Sequence, residues 1–125
     1  MLGDDHRQLL EAATALLEPH FEIVGTVMDG AMLVTEALRL RPDVIVTDIT
    51  MPALSGIDAI QRLKERDFAP KIVILTIHSG REFLNACVNE GALGYVVKSR
   101  MKAQLVPAIH AALIGEHYIS PFSFV

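Results

Sequence analysis

Pro42-Asp43-Val44-Ile45-Val46-Thr47-Asp48-Ile49-Thr50-Met51-Pro52 is the stretch on which the fold turns. Val44 to Thr47 are uniformly apolar or β-branched, the pattern of a short strand covered on both faces, and Asp48 follows where that strand surfaces. A carboxylate at the carboxyl edge of an open α/β sheet stands where such folds bind ligands. Taken alone, Asp48 reads more readily as a turn-forming residue ahead of Pro52. Its partners elsewhere in the chain decide between the two.

Working outward from this stretch, helical and strand patterns alternate. Upstream, Leu9, Leu10, Ala13, Leu16 and Leu17 share one helix face that Pro19 ends, Phe21 to Val27 reads as a strand, and Gly30 to about Arg41 as a helix. Downstream comes a helix from about Gly56, then Lys71 to Thr76, the clearest buried strand in the chain. A helix from Ser79 or Gly80 to the Gly91 cap, a strand from Gly94 to Val97 and a closing helix from about Lys102 to Ile114 follow, with Pro107 expected in or near the first turn of the last. This alternation predicts right-handed crossovers and a mainly parallel sheet with helices on both faces. The first strand is the exception, because only Met1, Leu2 and Gly3 precede Asp4 and Asp5. So short a strand predicts a loose hold on the two acids and weak metal affinity.

Composition narrows the function. The chain has 125 residues, 51% of them hydrophobic, which makes about one domain with a real core. Net charge is −4 with scattered basic residues, so no nucleic-acid surface is expected within it. A single cysteine, Cys87, excludes an internal disulfide, and no apolar run approaches the ~18 residues of a membrane span. A cytoplasmic protein is expected. The five histidines, His6, His20, His78, His110 and His117, show no recognised metal spacing; His78 alone, two residues past Thr76, is placed to overhang the site and tune it.

The strand ends supply the chemistry. Asp4 and Asp5, Asp48, Thr76 and Lys98 each close or follow a different strand, and in a parallel sheet those ends share one edge. Individually, Asp5 reads also as a helix N-cap, Thr76 as an ordinary strand residue and Lys98 as a solvated lysine. Together, three carboxylates a few ångströms apart repel by roughly 3 kcal/mol per pair at an effective dielectric of 20, which calls for a cation among them. Hard oxygens with open positions favour Mg2+. With Lys98 as a second positive charge and Thr76 as a hydroxyl donor, the set suits an incoming phosphoryl group.

DDH at the start, TDITMP with Gly56 eight residues past Asp48, ILT and GYVVK together resemble the receiver domain of two-component response regulators, over essentially the whole chain. The resemblance implies a flavodoxin-like (βα)5 fold with a five-stranded parallel sheet in the order 2-1-3-4-5. It implies Asp48 as phosphoacceptor from a histidine kinase and Asp4, Asp5, Asp48 and the Thr50 backbone carbonyl as Mg2+ ligands. Thr76 and Lys98 match the phosphoryl contacts and Tyr95 the switch aromatic, which turns inward when Thr76 moves. Ser99 follows Lys98 where many receivers have proline, so no cis peptide is expected there. DDH, GALGYVVKS and GEHYISP resemble the NarL/FixJ subfamily, whose members carry a LuxR-type helix-turn-helix after a linker. On that basis residues 1–117 form the receiver and 118–125 the tail leading to an output domain that binds DNA and lies outside these residues; a stand-alone receiver is the alternative. An aspartate-nucleophile phosphatase of the haloacid dehalogenase type is the competing function, although Thr50 stands where its second acid belongs. A flavodoxin-like binding module is weaker, since no Gly-rich phosphate loop is present. The apolar width of the closing helix, with Leu105, Val106, Ile109, Ala112, Leu113 and Ile114, and the apolar tail behind it predict a homodimer through that helix.

Overall fold

A computed structural model describes residues 1–120. In chain order the elements are β1 (Leu2–Gly3), α1 (Arg7–Leu17), β2 (Thr26–Val27), α2 (Gly30–Leu40), β3 (Val44–Thr47), α3 (Gly56–Glu65), β4 (Lys71–Thr76), α4 (Arg81–Asn89), β5 (Gly94–Val97), a 3-10 turn over Lys98–Arg100, α5 (Met101–Leu113) and β6 (Tyr118–Ile119). The strands form one parallel sheet in the order β2-β1-β3-β4-β5-β6. The expected order 2-1-3-4-5 is therefore present, with a sixth strand added outside β5.

Strand alternation explains why helices cover both faces. Ile45, Ile72, Ile74 and Tyr95 pack with Leu33 and Ala37 of α2, Ala59, Ile60 and Leu63 of α3 and Cys87 of α4. Their neighbours Val46, Val73, Leu75 and Val96 point the other way, onto Leu10, Ala13 and Leu17 of α1 and Leu105, Ala108, Ile109 and Ala112 of α5. Each fully buried Leu or Ile contributes about 1.5–3 kcal/mol, so the central strands are fixed by what lies on both sides of them. Gly94 sits where a Cβ would come within 2.9 Å of both methyls of Val73, which keeps β5 close against β4.

Four sequence expectations are corrected. The strand expected over 21–27 is paired only at Thr26–Val27, because its sole neighbour is the two-residue β1; of the rest, Gly25 accepts from the Leu2 N–H (3.0 Å). The short first strand does not hang loose. Val46 N–H donates to Met1 (2.8 Å), Asp48 N–H to Gly3 (3.0 Å) and Asp4 N–H to Val27 (3.0 Å), so the acids leave a segment braced on both sides. Pro107 lies inside α5 rather than in its first turn, since the helix begins at Met101, directly off the Lys98–Arg100 turn, and gives up one helical bond there. Tyr118–Ile119 lie in the sheet: Tyr118 N–H bonds Leu93 (2.9 Å), Ser120 N–H bonds Tyr95 (2.8 Å), and the buried Ser120 hydroxyl accepts from Val97 N–H (3.3 Å) while donating to Gln104. The tail residues Phe122, Phe124 and Val125 lie outside the described residues. No cis peptide occurs among the described residues, and no helix there is long and apolar enough to cross a membrane.

Candidate functional site

The strands β1, β3 and β5 deliver their end residues to one place. The Lys98 Nζ lies 2.8 Å from Asp4 Oδ2 and 2.8 Å from Asp48 Oδ2, a single ammonium shared by two carboxylates. All three are withdrawn from solvent, with side-chain exposures of 12% for Lys98, 3% for Asp4 and 6% for Asp48. Burial alone lowers a lysine pKa, but the two carboxylates outweigh it and hold Lys98 above its usual 10.5. The ammonium is thereby locked in its charged form.

Asp48 is aimed by its own loop. Its Oδ1 accepts the Ile49 N–H (2.7 Å), which leaves Oδ2 turned to Lys98. The loop is anchored to α3 by Gly56 N–H bonding Ile49 (2.7 Å), and a Cβ on Gly56 would fall 2.1 Å from the Asp48 carbonyl oxygen, so only glycine allows this approach. On its other side the loop is held by Gly30 N–H bonding Pro52 (3.1 Å).

Asp5 stands beside Asp4 but at the rim, a third exposed, and it does not cap α1; the N-cap is His6, without a side-chain cap bond. The His6 Nδ1 lies 3.1 Å from Asp4 Oδ1 and 3.1 Å from Asp5 Oδ1, while its backbone N–H donates to Asp4 Oδ1 (2.9 Å). One ligand atom from each of Asp4, Asp5 and His6 lies within 4.8 Å of the others. Asp4 Oδ2 and Asp5 Oδ1 are buried atoms without a hydrogen bond, Asp4 Oδ2 having only its ion pair to Lys98. Buried acceptors of this kind carry a desolvation cost that a divalent ion relieves, so the donor set fits a hard cation. His6 was passed over on sequence because it belongs to no spaced metal motif; its place next to two strand-end acids was the signal available.

Thr76 and Tyr95 meet through the backbone of His78. The Thr76 Oγ1 accepts the His78 N–H (3.2 Å), and the Tyr95 hydroxyl donates to the His78 carbonyl (2.8 Å). Thr76 is fully buried and Tyr95 is 1% exposed, so the aromatic ring points inward in this structure. Burial, reinforced by Cys87 and Asp48, raises the Tyr95 phenol well above its usual pKa of 10 and keeps it a donor. The His78 ring stacks on Phe83 with centroids 4.0 Å apart, and its Nε2 lies 3.3 Å from the Thr50 hydroxyl, joining the loops after β3 and β4. The His78 side chain, two residues past Thr76, thus reaches the loop that follows Asp48.

Comparison with known proteins agrees with this geometry. The family model for the response regulator receiver domain matches residues 1–110. The chain is 34% identical over 122 residues to the transcriptional regulatory protein MctR of Rhizobium johnstonii, covering 96% of this chain and 57% of that protein. It is 35% identical over 118 residues to the transcriptional regulatory protein LiaR of Bacillus subtilis, covering 93% of this chain and 56% of that protein. Among solved structures, a LuxR-family two-component response regulator from Aurantimonas superposes with a TM-score of 0.91 at 36% identity, covering 97% of this chain and 88% of that one. The chain thus spans a little over half the length of these curated relatives. The phosphatase alternative finds no support in these matches, and the position two past Asp48 is a threonine that bonds a histidine instead of a second acid. Sheet order, the strand-end acids around one lysine and the extent of the matches converge: the chain belongs to the response regulator receiver domain family, whose members are regulatory modules rather than classical enzymes.

Proposed function

We propose that this chain accepts a phosphoryl group on Asp48 from a phosphohistidine of a sensor kinase and reports the modification through the surface around α4, β5 and α5. The carrying observation is the shared ammonium, Lys98 Nζ at 2.8 Å from both Asp4 and Asp48 in a buried pocket at the carboxyl edge of the sheet. An Asp48 carboxylate oxygen attacks phosphorus, the phosphorus–nitrogen bond breaks, its electron pair returns to the imidazole, and an acyl phosphate forms. Lys98 balances negative charge on the transferring group, and Thr76 offers its hydroxyl to a phosphoryl oxygen. Asp4, Asp5, Asp48 and the Thr50 carbonyl are the residues that would hold Mg2+, whose chemistry is to neutralise the phosphoryl oxygens. The chain catalyses its own modification, and hydrolysis of the acyl phosphate resets it.

The added charge draws Thr76 and Lys98 inward, and the bonds from His78 to both Thr76 and Tyr95 supply a route by which β4 and β5 respond together. The reading implies a cytoplasmic setting, residues 1–117 as the receiver, and 118–125 leading toward a helix-turn-helix output that binds DNA. Leu113 (42% exposed), Ile114 (71%) and Ile119 (43%) form an apolar rim at the end of α5 that supports a two-fold homodimer there. The test of the central claim is intact-mass analysis after incubation with acetyl phosphate and Mg2+. One phosphoryl group should be gained by the wild type and none by Asp48→Asn. Full labelling of that variant, or multiple turnover of the phosphodonor by the wild type, would overturn the reading.

A further inference from the structure

We infer that His6 adds a nitrogen donor to the divalent-ion site, giving this receiver a preference for first-row transition ions over Mg2+. The inference rests on the reading of Asp4 and Asp5 as a cation site and adds to it a nitrogen donor. Three observations carry it. The His6 Nδ1 sits 3.1 Å from one oxygen of each acid, and the three ligand atoms lie within 4.8 Å of one another, the span one ion bridges with bonds of about 2.0–2.4 Å. Helix α1 makes no use of the imidazole. His6 is the N-cap of α1, but the helix takes no bond from its side chain, which is 70% exposed; the link to Asp4 that orders the turn is made by the backbone N–H. Finally, Asp5 Oδ1, which faces the ring nitrogen at 3.1 Å, is a buried atom with no hydrogen bond among the described residues, and the neighbouring Asp4 is 2% exposed overall.

The chemistry follows from the donor set. Carboxylates and carbonyls suit Mg2+, which binds through oxygen and keeps its waters, whereas an imidazole suits first-row transition ions and raises affinity along the series from Mn2+ to Cu2+. An imidazole added to this oxygen set therefore lets the site discriminate by ligand type.

Co2+ serves as the probe, since its visible spectrum reports nitrogen ligation directly. The whole chain is titrated with Mg2+ and with Co2+ by calorimetry and thermal shift, together with His6→Ala and Asp5→Asn. The wild type should bind Co2+ at least about tenfold more tightly than Mg2+, and His6→Ala should lose about tenfold in Co2+ affinity and alter the Co2+ spectrum while its Mg2+ affinity stays within about twofold. Asp5→Asn should weaken both ions. An unchanged ratio of Co2+ to Mg2+ affinity in His6→Ala, or Co2+ binding undiminished in Asp5→Asn, overturns the role of His6. A wild type that binds neither ion overturns the cation reading itself, a distinct result.

Discussion

Replacing Lys98 with methionine isolates the ammonium, because the unbranched stem is retained and the charge is lost. At 2.8 Å from each of Asp4 and Asp48, the two attractions are each about 6 kcal/mol at an effective dielectric of 20. Most of that is offset by the cost of desolvating the ammonium and by water entering once it is gone. What remains in Lys98→Met is a pair of nearly buried carboxylates facing each other, and removal of one partner from such a cluster costs about 3–5 kcal/mol. That is a large share of the 5–15 kcal/mol that typically separates folded from unfolded. Urea unfolding at neutral pH without Mg2+ should show the loss. Saturating Mg2+ should return part of it, since a cation bound only by the folded state adds RT ln(1 + [L]/Kd). The alkaline behaviour has a definite sign. Lys98 is held above 10.5 in the fold, so its contribution is fully present below about pH 10.5 and lost as pH rises through the higher folded value. The gap between wild type and variant should thus stay level from pH 7 to 10 and close only beyond. Equal stabilities within about 0.5 kcal/mol in the absence of Mg2+ would refute the shared-ammonium argument.

Other perturbations probe the remaining parts. Gly56→Ala puts a Cβ 2.1 Å from the Asp48 carbonyl oxygen, so the backbone of Asp48 must move; we expect a loss of about 1–3 kcal/mol in unfolding measurements and slowed labelling by acetyl phosphate, and normal labelling would contradict the loop geometry. Burial pushes the Cys87 thiol up to about 12, so at pH 8 it should resist a thiol reagent in the folded protein and react in urea; prompt native-state reaction would show that α4 opens readily. Leu113→Glu should lower the mass seen by light scattering at high concentration without unfolding the chain. Ile109 is 4% exposed and faces the core, which makes it the wrong probe for that surface, and a wild type that stays monomeric at every concentration would defeat the dimer.

The central strands were legible because their environment is simple. Val44–Thr47, Lys71–Thr76 and Gly94–Val97 are buried on both faces, and a run of apolar or β-branched residues says as much in one dimension. The edges were not. The extent of β2 depends on how much of β1 stands beside it, and β6 depends on Ser120 meeting Val97 and Gln104, contacts with no local periodicity. At the site, Asp4, Asp48 and Lys98 could be placed from strand ends alone, since parallel strands must end on one edge. The link from Thr76 to Tyr95 could not, because it runs through the backbone of His78, to which side-chain identity gives no clue.

The direction of β6 determines which rim of the sheet Ser120 reaches. A strand antiparallel to β5 would run toward the opposite rim, far from Asp48; the parallel one, with Gly94 beside Tyr118 and Tyr95 beside Ile119, runs toward the rim that carries Lys98. Ser120 is the last rivet, fastened to Tyr95 and Val97 on the strand that ends at Lys98. Ser120 thus ties the end of β6 both to the strand that delivers Lys98 and, through Gln104, to α5.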